Sequence, residues 1–501
     1  MKRRSWLSCE GERRDRAGRD GGGGVSERVM FSSNDVRQAL GLPPDGGGNS
    51  YTSVSADTRT LRPGAVFVAL KGERHDAIDL LPEAEAKGAV GAVVPEDRAL
   101  PVTQLELFGV PDPTRALGDL AAWHRKASGV RVVGITGSSG KTTVKEMAAA
   151  VLGRGYRVYK TAGNLNSQVG LPLAILEAPA DADLWVLELG SSEPGEIARL
   201  AEISAPTDAV VTTAGPAHLE FFGTVDRVLE EKLSLVAAAS PDGRVVVGER
   251  PEKLVAGALG LRPDAIVAGT GDAASWRPDE HSVEAEAVRF VRGGVEYRVP
   301  AGGRHHLADA LIVAALGDAL GIPAADVARG LCTYRPLGMR SALEQVGEMT
   351  VIADCYNANP ESFAAAIEYC EEAFPNRRLV AVVGTMLELG KASGAAHRQI
   401  AERLVRAHFD LVAATGDFIE AFAGLRIGRN GTGVFAADSI EHLWAELAPR
   451  LSGDEVVLVK ASRGERLEGI VDRLRSFGLG RGPSVGPTPG PSVAPGAEGG
   501  D

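Results

Sequence analysis

A chain of 501 residues, 44% hydrophobic and 24% charged, is too long for one ordinary core and too apolar to stay unfolded, so several globular domains are expected. Its formal net charge of −12 excludes a general nucleic-acid binder, which needs a basic face. No apolar run reaches the ~18 residues of a membrane span, and Cys9, Cys332, Cys355 and Cys370 show no metal-ligand spacing, so a cytoplasmic protein, monomeric and without a membrane anchor, is expected.

Residues 1–28 are charged and glycine-rich and are expected to be a disordered extension; the alternative is that translation starts at Met30. Residues 29–111 read as a small α/β domain. It has a helix over 34–40 stopped by Gly41, a strand edge at 54–59, a buried strand over 65–70, a polar loop over 71–76, and a helix running into a strand across 84–94. Pro111–Asp112–Pro113 marks a boundary. Residues 112–333 then alternate: a helix over 114–126, a strand into a glycine loop at 132–140, a helix over 144–152, a strand over 184–189, a helix over 196–201 and a strand over 209–213. Such alternation predicts a doubly wound, mostly parallel sheet. Residues 241–300 lean towards short strands, and a helix over 308–315 closes the domain. Residues 334–477 read as a Rossmann-like α/β domain with strands at 351–354, 379–383, 411–414 and 456–459. From 478 to 501 Gly, Pro and Ser dominate, and a disordered tail is expected. The fold class is therefore α/β in three domains.

The most informative stretch is TGSSGKTT at 136–143, set between a β-branched run and a helix-forming segment. Gly137, Ser138, Ser139, Gly140, Lys141, Thr142 and Thr143 form a phosphate-binding loop in this reading. Backbone N–H groups and the helix N-terminus face phosphate oxygens, Lys141 reaches the β- and γ-phosphates, and the Thr142 hydroxyl meets Mg²⁺. The usual pattern has glycine six residues before the lysine, where this chain has Ile135. A ligand-free turn is the alternative, but GKTT has little packing purpose there.

Other positions stay open on residues alone. Glu188 ends a buried strand, as a Mg²⁺ ligand or as a turn carboxylate. His218 follows the strand ending at Thr213, as a functional or a structural histidine. Lys232 sits on a helix over 225–239, at the edge of a stripe formed by Leu229, Leu233 and Val236. It is either a snorkelling surface lysine or a partly buried amine of lowered pKa that reacts with CO₂. Asn164 and Asn166 lie in a loop rich in amide and hydroxyl donors, and Asn357 and Asn359 follow a strand, as binding groups or turn formers.

Taken in order, TGSSGKTT, GNLNSQVGLP (163–172), Glu188-Leu-Gly, Ala217-His218-Leu219-Glu220, Lys232, Gly303-Arg304-His305, Arg340 and DCYNANP (354–360) resemble the Mur ligase family over about residues 30–475. These ATP-dependent ligases build the peptidoglycan stem peptide. DCYNANP, MLELG (386–390) and KASRG (460–464) are most similar to the branch that joins D-alanyl-D-alanine to UDP-N-acetylmuramoyl-tripeptide. The resemblance implies two Mg²⁺ ions, one held by Thr142 and Glu188 and one by His218 and carbamylated Lys232. It implies that His305 and Asp309 lie near adenine, Arg340 near the γ-phosphate and Asp354 near the ribose of ATP. Ser55, Asp57 and Arg59 would recognise uridine diphosphate. Asn164 and Asn166 would face substrate oxygens, and Asn357 and Asn359 the incoming dipeptide. Thr213, Ser167, Thr385, Ala461 and Asp309 depart from the family's pattern, and the last weakens the adenine assignment. Alternatives are a relative adding another residue, such as the third-residue or folylpolyglutamate type, or a non-catalytic ATP-dependent switch.

Overall fold

The computed structural model describes residues 30–46, 48–72, 75–425 and 433–480. The extension expected at 1–28 and the tail from 481 lie outside the described residues. The chain forms two compact units. One runs to Pro336 and includes the segment Glu388–Ser393, and the other holds the remainder from Leu337.

The first unit opens with the helix Ser33–Ala39, whose start is fixed by a reciprocal box between Ser32 and Asp35. A four-stranded parallel sheet follows in the order Ser53–Ser55, Ala65–Val68, Gly91–Pro95, Glu106–Val110. The last strand escapes sequence reading because it begins on a glutamate and contains Gly109. Glu106 is accommodated by hydrogen bonds from Tyr51 Oη at 2.6 Å and Asn49 Nδ2 at 2.8 Å. The core runs unbroken past Pro111–Pro113, since Phe31, Tyr51 and Phe108 belong to one apolar cluster with Leu117 and Trp185.

The larger sheet of this unit has six parallel strands in the order Ile266–Ala268, Val245–Gly248, Asp208–Val211, Arg131–Thr136, Leu184–Glu188, Val158–Lys160. Ile135 pairs with Glu188 in register. The glycine loop and the Glu188 carboxylate therefore emerge side by side at the C-terminal edge, where parallel sheets bind ligands. Residues 241–300 hold more than the expected strands. The helix Glu252–Leu261 interrupts them, and its Gly257 and Gly260 lower the helical signal. A three-stranded antiparallel sheet, Glu280–Val283, Val288–Arg292 and Val295–Val299, follows. The helix expected at 308–315 is Arg304–Ala319, buried along most of its length, and it is not the closing one, since the helix Ala324–Cys332 follows.

The second unit has one six-stranded sheet in the order Ala342–Val346, Met349–Asp354, Val456–Lys460, Leu379–Val383, Leu411–Ala414, Gly433–Ala436. All pairs are parallel except the first. The two edge strands are the ones the sequence conceals. Both are only partly buried and lack the apolar run of the central four. The final helix, Glu468–Gly480, carries regular structure past residue 477, where the tail was expected to start. Among the described residues no helix is long and apolar enough to cross a membrane.

Candidate active site

The strand Arg131–Thr136 runs through the loop 137–140 into the helix Lys141–Leu152. Gly140 has φ +81°, and a Cβ there would lie 2.5 Å from Asp309 Oδ1, so both backbone and space demand glycine. The neighbouring strand end holds the loop from behind. Ser138 N donates to Thr213 O at 3.0 Å, Ser138 Oγ to Gly215 O at 2.9 Å and Ser139 N to Thr213 Oγ1 at 3.2 Å. The Thr212 hydroxyl donates to Ser139 O. In the sequence Thr213 is only a departure from a family pattern, yet its hydroxyl accepts from Ser139 N and helps to order the loop. Lys141 Nζ donates back to Gly137 O at 2.7 Å, which keeps its ammonium over the loop.

Beside the loop, Glu188 is buried at the strand end. Its Oε1 accepts from Thr142 Oγ1 at 3.2 Å and from Asn166 Nδ2 at 2.8 Å. Its Oε2 is buried and accepts no hydrogen bond. Lys145, missed at the sequence level, lies 3.4 Å from that oxygen. The one available signal was a lysine in the helix face shared by Val144, Met147, Ala148 and Val151.

Lys232 does not sit at the edge of an apolar stripe. The inward face of the helix Val225–Ala238 is Val228, Glu231, Lys232, Leu235 and Val236, while Leu229 and Leu233 are only partly buried. Two polar side chains face inward because each has a partner on another element. Glu231 accepts from Gly195 N at 2.8 Å and Ile197 N at 2.7 Å, capping the helix Glu196–Ser204. Lys232 Nζ donates to Ser191 Oγ at 2.6 Å. Burial, and next the charge of Lys141, lower the Lys232 ammonium to about 7. This shift has a stability consequence. Between about 7 and the ordinary 10.5 the unfolded lysine holds a proton that the buried amine has lost, so folding becomes more favourable as pH rises through that window. In CO₂-free buffer, wild-type stability to urea is expected to rise from pH 7 to pH 9 relative to Lys232→Met; parallel profiles would contradict the shift.

His218 adopts φ +51°, strained for a side chain with a Cβ, at the start of the short helix Leu219–Phe222. Its Nδ1 lies 2.6 Å from Glu388 Oε2, close but not aligned as a hydrogen bond. His305 is half-buried, with its ring 4.2 Å from that of His306. Asp309 packs against the phosphate loop at Gly140.

Among the described residues no three His, Cys, Asp or Glu side chains converge. The donors here are hard oxygens offered singly, Thr142 Oγ1 and the unbonded Glu188 Oε2. That set fits Mg²⁺, which completes its octahedron with phosphate and water oxygens rather than a protein cage.

Other sequence-selected residues form their own clusters. Ser55, Asp57 and Arg59 make a self-contained turn in which Arg59 Nε donates to Asp57 Oδ1 at 2.9 Å. The Arg59 guanidinium holds the Asp57 carboxyl below its usual range. Asn164 is exposed. In the second unit, Asp354 Oδ2 pairs with buried Lys460 at 2.5 Å, and Arg340 lies 3.7 Å above the Tyr356 ring. Asn357 Oδ1 accepts from Ala358 N at 2.9 Å. Asn359 Oδ1 accepts from Ser362 N at 2.8 Å and caps the helix Pro360–Ala373, so that oxygen already has a structural task.

The model described as Mur ligase middle domain matches residues 135–317, and the one described as Mur ligase, glutamate ligase domain matches residues 340–463. The chain is 33% identical over 431 residues to the UDP-N-acetylmuramoyl-tripeptide–D-alanyl-D-alanine ligase of Bacillus subtilis, covering 84% of this chain and 92% of that one. This chain belongs to the UDP-N-acetylmuramoyl-tripeptide–D-alanyl-D-alanine ligase family. Solved ligases agree. MurF of Acinetobacter baumannii superimposes with a TM-score of 0.80 at 27% identity, covering 89% of this chain and 99% of that one. MurF of Thermotoga maritima, solved in complex with ADP, gives 0.73 at 28% identity, covering 85% and 97%. The matched middle domain contains the glycine loop, Glu188, His218, Lys232 and Asp309.

Proposed function

We propose that this chain couples ATP hydrolysis to the joining of D-alanyl-D-alanine to UDP-N-acetylmuramoyl-tripeptide, giving the pentapeptide precursor of peptidoglycan, ADP and phosphate, in the cytoplasm. The observation that carries this reading is the pairing of Thr142 with Glu188 beside a glycine loop, in a chain of this ligase family.

The chemical obstacle is repulsion between a substrate carboxylate and a polyanion. Lys141 and the N-terminus of the helix Lys141–Leu152 offset it at the phosphates. Bound Mg²⁺ adds charge neutralisation at the transferring phosphoryl group, with Thr142 and Glu188 as holders of one ion and His218 and carbamylated Lys232 of a second. The low pKa of Lys232 supports the carbamate. A neutral Nζ lone pair adds to the carbon of CO₂, one C=O π pair moves to oxygen, and the proton lost from nitrogen passes to solvent.

In the first step the terminal carboxylate oxygen of the tripeptide attacks the γ-phosphorus. The bond to the ADP oxygen breaks, and an acyl phosphate forms. In the second step the D-alanyl-D-alanine amine attacks the acyl carbon, phosphate leaves with the bridging oxygen, and the amine proton goes to solvent. We assign His305 and Asp309 to adenine, Arg340 to the γ-phosphate, Asp354 to ribose, Ser55, Asp57 and Arg59 to uridine diphosphate, Asn164 and Asn166 to substrate oxygens, and Asn357 and Asn359 to the dipeptide. Residues 29–111, 112–333 and 334–477 are correspondingly the uridine, ATP and dipeptide domains.

The test is phosphate release by the purified chain. Release is expected only with ATP, UDP-tripeptide and D-alanyl-D-alanine together, with pentapeptide in the products. Release that needs another amino acid, or neither substrate, would overturn the assignment.

A further inference from the structure

Lys145 is a buried charge beside the site that this reaction leaves unused. Its side chain is 0% exposed, one turn beyond Lys141 on the phosphate-loop helix. The ammonium donates to Gly163 O at 2.9 Å and lies 3.4 Å from both Glu188 Oε2 and Glu146 Oε1. Glu146 is also paired with Lys160. Charges thus alternate along a chain of four side chains, Lys160, Glu146, Lys145 and Glu188. Because Glu146 has a second cation, the charge of Lys145 falls to Glu188, which would otherwise be a buried carboxylate facing only neutral donors.

The bond to Gly163 adds a second hold. Gly163 begins the loop that carries Asn166, and Asn166 donates to Glu188 Oε1. Gly163 itself sits at φ +51°. Lys145 therefore acts on both carboxylate oxygens, on Oε2 by charge and on Oε1 by anchoring the loop that supplies its amide donor. Thr142, at the first turn of the same helix, completes the set.

We propose that Lys145 is a positioning residue that fixes Glu188 for divalent-cation binding and acts through Glu188. This rests on Glu188 being a metal ligand, as argued above.

The test is a double-mutant cycle read by Mn²⁺ binding to the full chain in the presence of ADP, followed by electron paramagnetic resonance of free Mn²⁺. Lys145→Met is expected to weaken Mn²⁺ binding by about tenfold or more, the usual effect of losing a group that orients a metal ligand. In a Glu188→Gln background the same substitution should change Mn²⁺ binding by less than about twofold. If Lys145→Met does not fold, Lys145→Gln keeps a donor for Gly163 without the charge and carries the same expectations. Equal losses in both backgrounds, or unchanged Mn²⁺ binding beside a clear Glu188→Gln loss, would overturn the role of Lys145. Unchanged binding in Glu188→Gln itself would overturn the premise.

Discussion

Replacing Lys141 with alanine is expected to lower kcat/KM for ATP about a thousandfold, the scale of removing a preorganised donor to developing charge. The fold should persist. The substitution removes the ammonium's hydrogen bond to Gly137 O at 2.7 Å, on a partly exposed loop, and a charge-assisted bond of that kind contributes about 2 kcal/mol. The loop keeps its other ties, from Ser138 and Ser139 to the strand end at Thr213 and Gly215. Turnover and thermal melting measured on one preparation check both halves. Unchanged turnover would remove the nucleotide from this loop; a large drop in melting temperature would make the loss structural. Lys141 also helps to hold the Lys232 ammonium down. The two lysines are therefore coupled, and their single-variant effects should not add.

Replacing Lys232 with alanine is expected to lower kcat by about a thousandfold or more, because the carbamate proposed on this lysine would be lost with it from a phosphoryl-transfer site. The vacated space is buried and ends at Ser191 Oγ, a donor suited to a carboxylate oxygen. Formate or acetate should therefore restore part of the activity, saturating with acid concentration, while methylamine should not. Full activity without added acid would sink the carbamate. Rescue by an amine in place of an acid would mean that the native group is an ammonium.

Much of this site is legible in the sequence because its parts sit where β-strands end. The run into TGSSGKTT and the buried run into Glu188 are both parallel strands, and pairing Ile135 with Glu188 brings their ends together. What cannot be read is where a helix points its polar residues. The apolar spacing on the helix Val225–Ala238 suggests Leu229 and Leu233, but Glu231 and Lys232 face inward because Gly195, Ile197 and Ser191 receive them. Those partners are 34 to 41 residues distant, outside any periodic window. Lys145 was hidden for the same reason. Its partners Gly163 and Glu188 lie on other elements, and its own helix shows only that it shares the face of Val144, Met147, Ala148 and Val151, not what it meets there. Asn359 shows the opposite case. Chosen as a binding group, it is also an N-cap, a task that its place before Pro360 foretells. The short edge strands Ala342–Val346 and Gly433–Ala436 bury too little to leave an apolar run.

In the proposed reaction a substrate carboxylate is phosphorylated beside the Thr142–Glu188 pair before the amide forms. The direct measurement uses UDP-tripeptide labelled with oxygen-18 in both oxygens of its terminal carboxylate, with unlabelled ATP and D-alanyl-D-alanine, and mass spectrometry of the released phosphate. Each phosphate is expected to carry one labelled oxygen and each new amide one. Label in AMP, or phosphate carrying none, would contradict it.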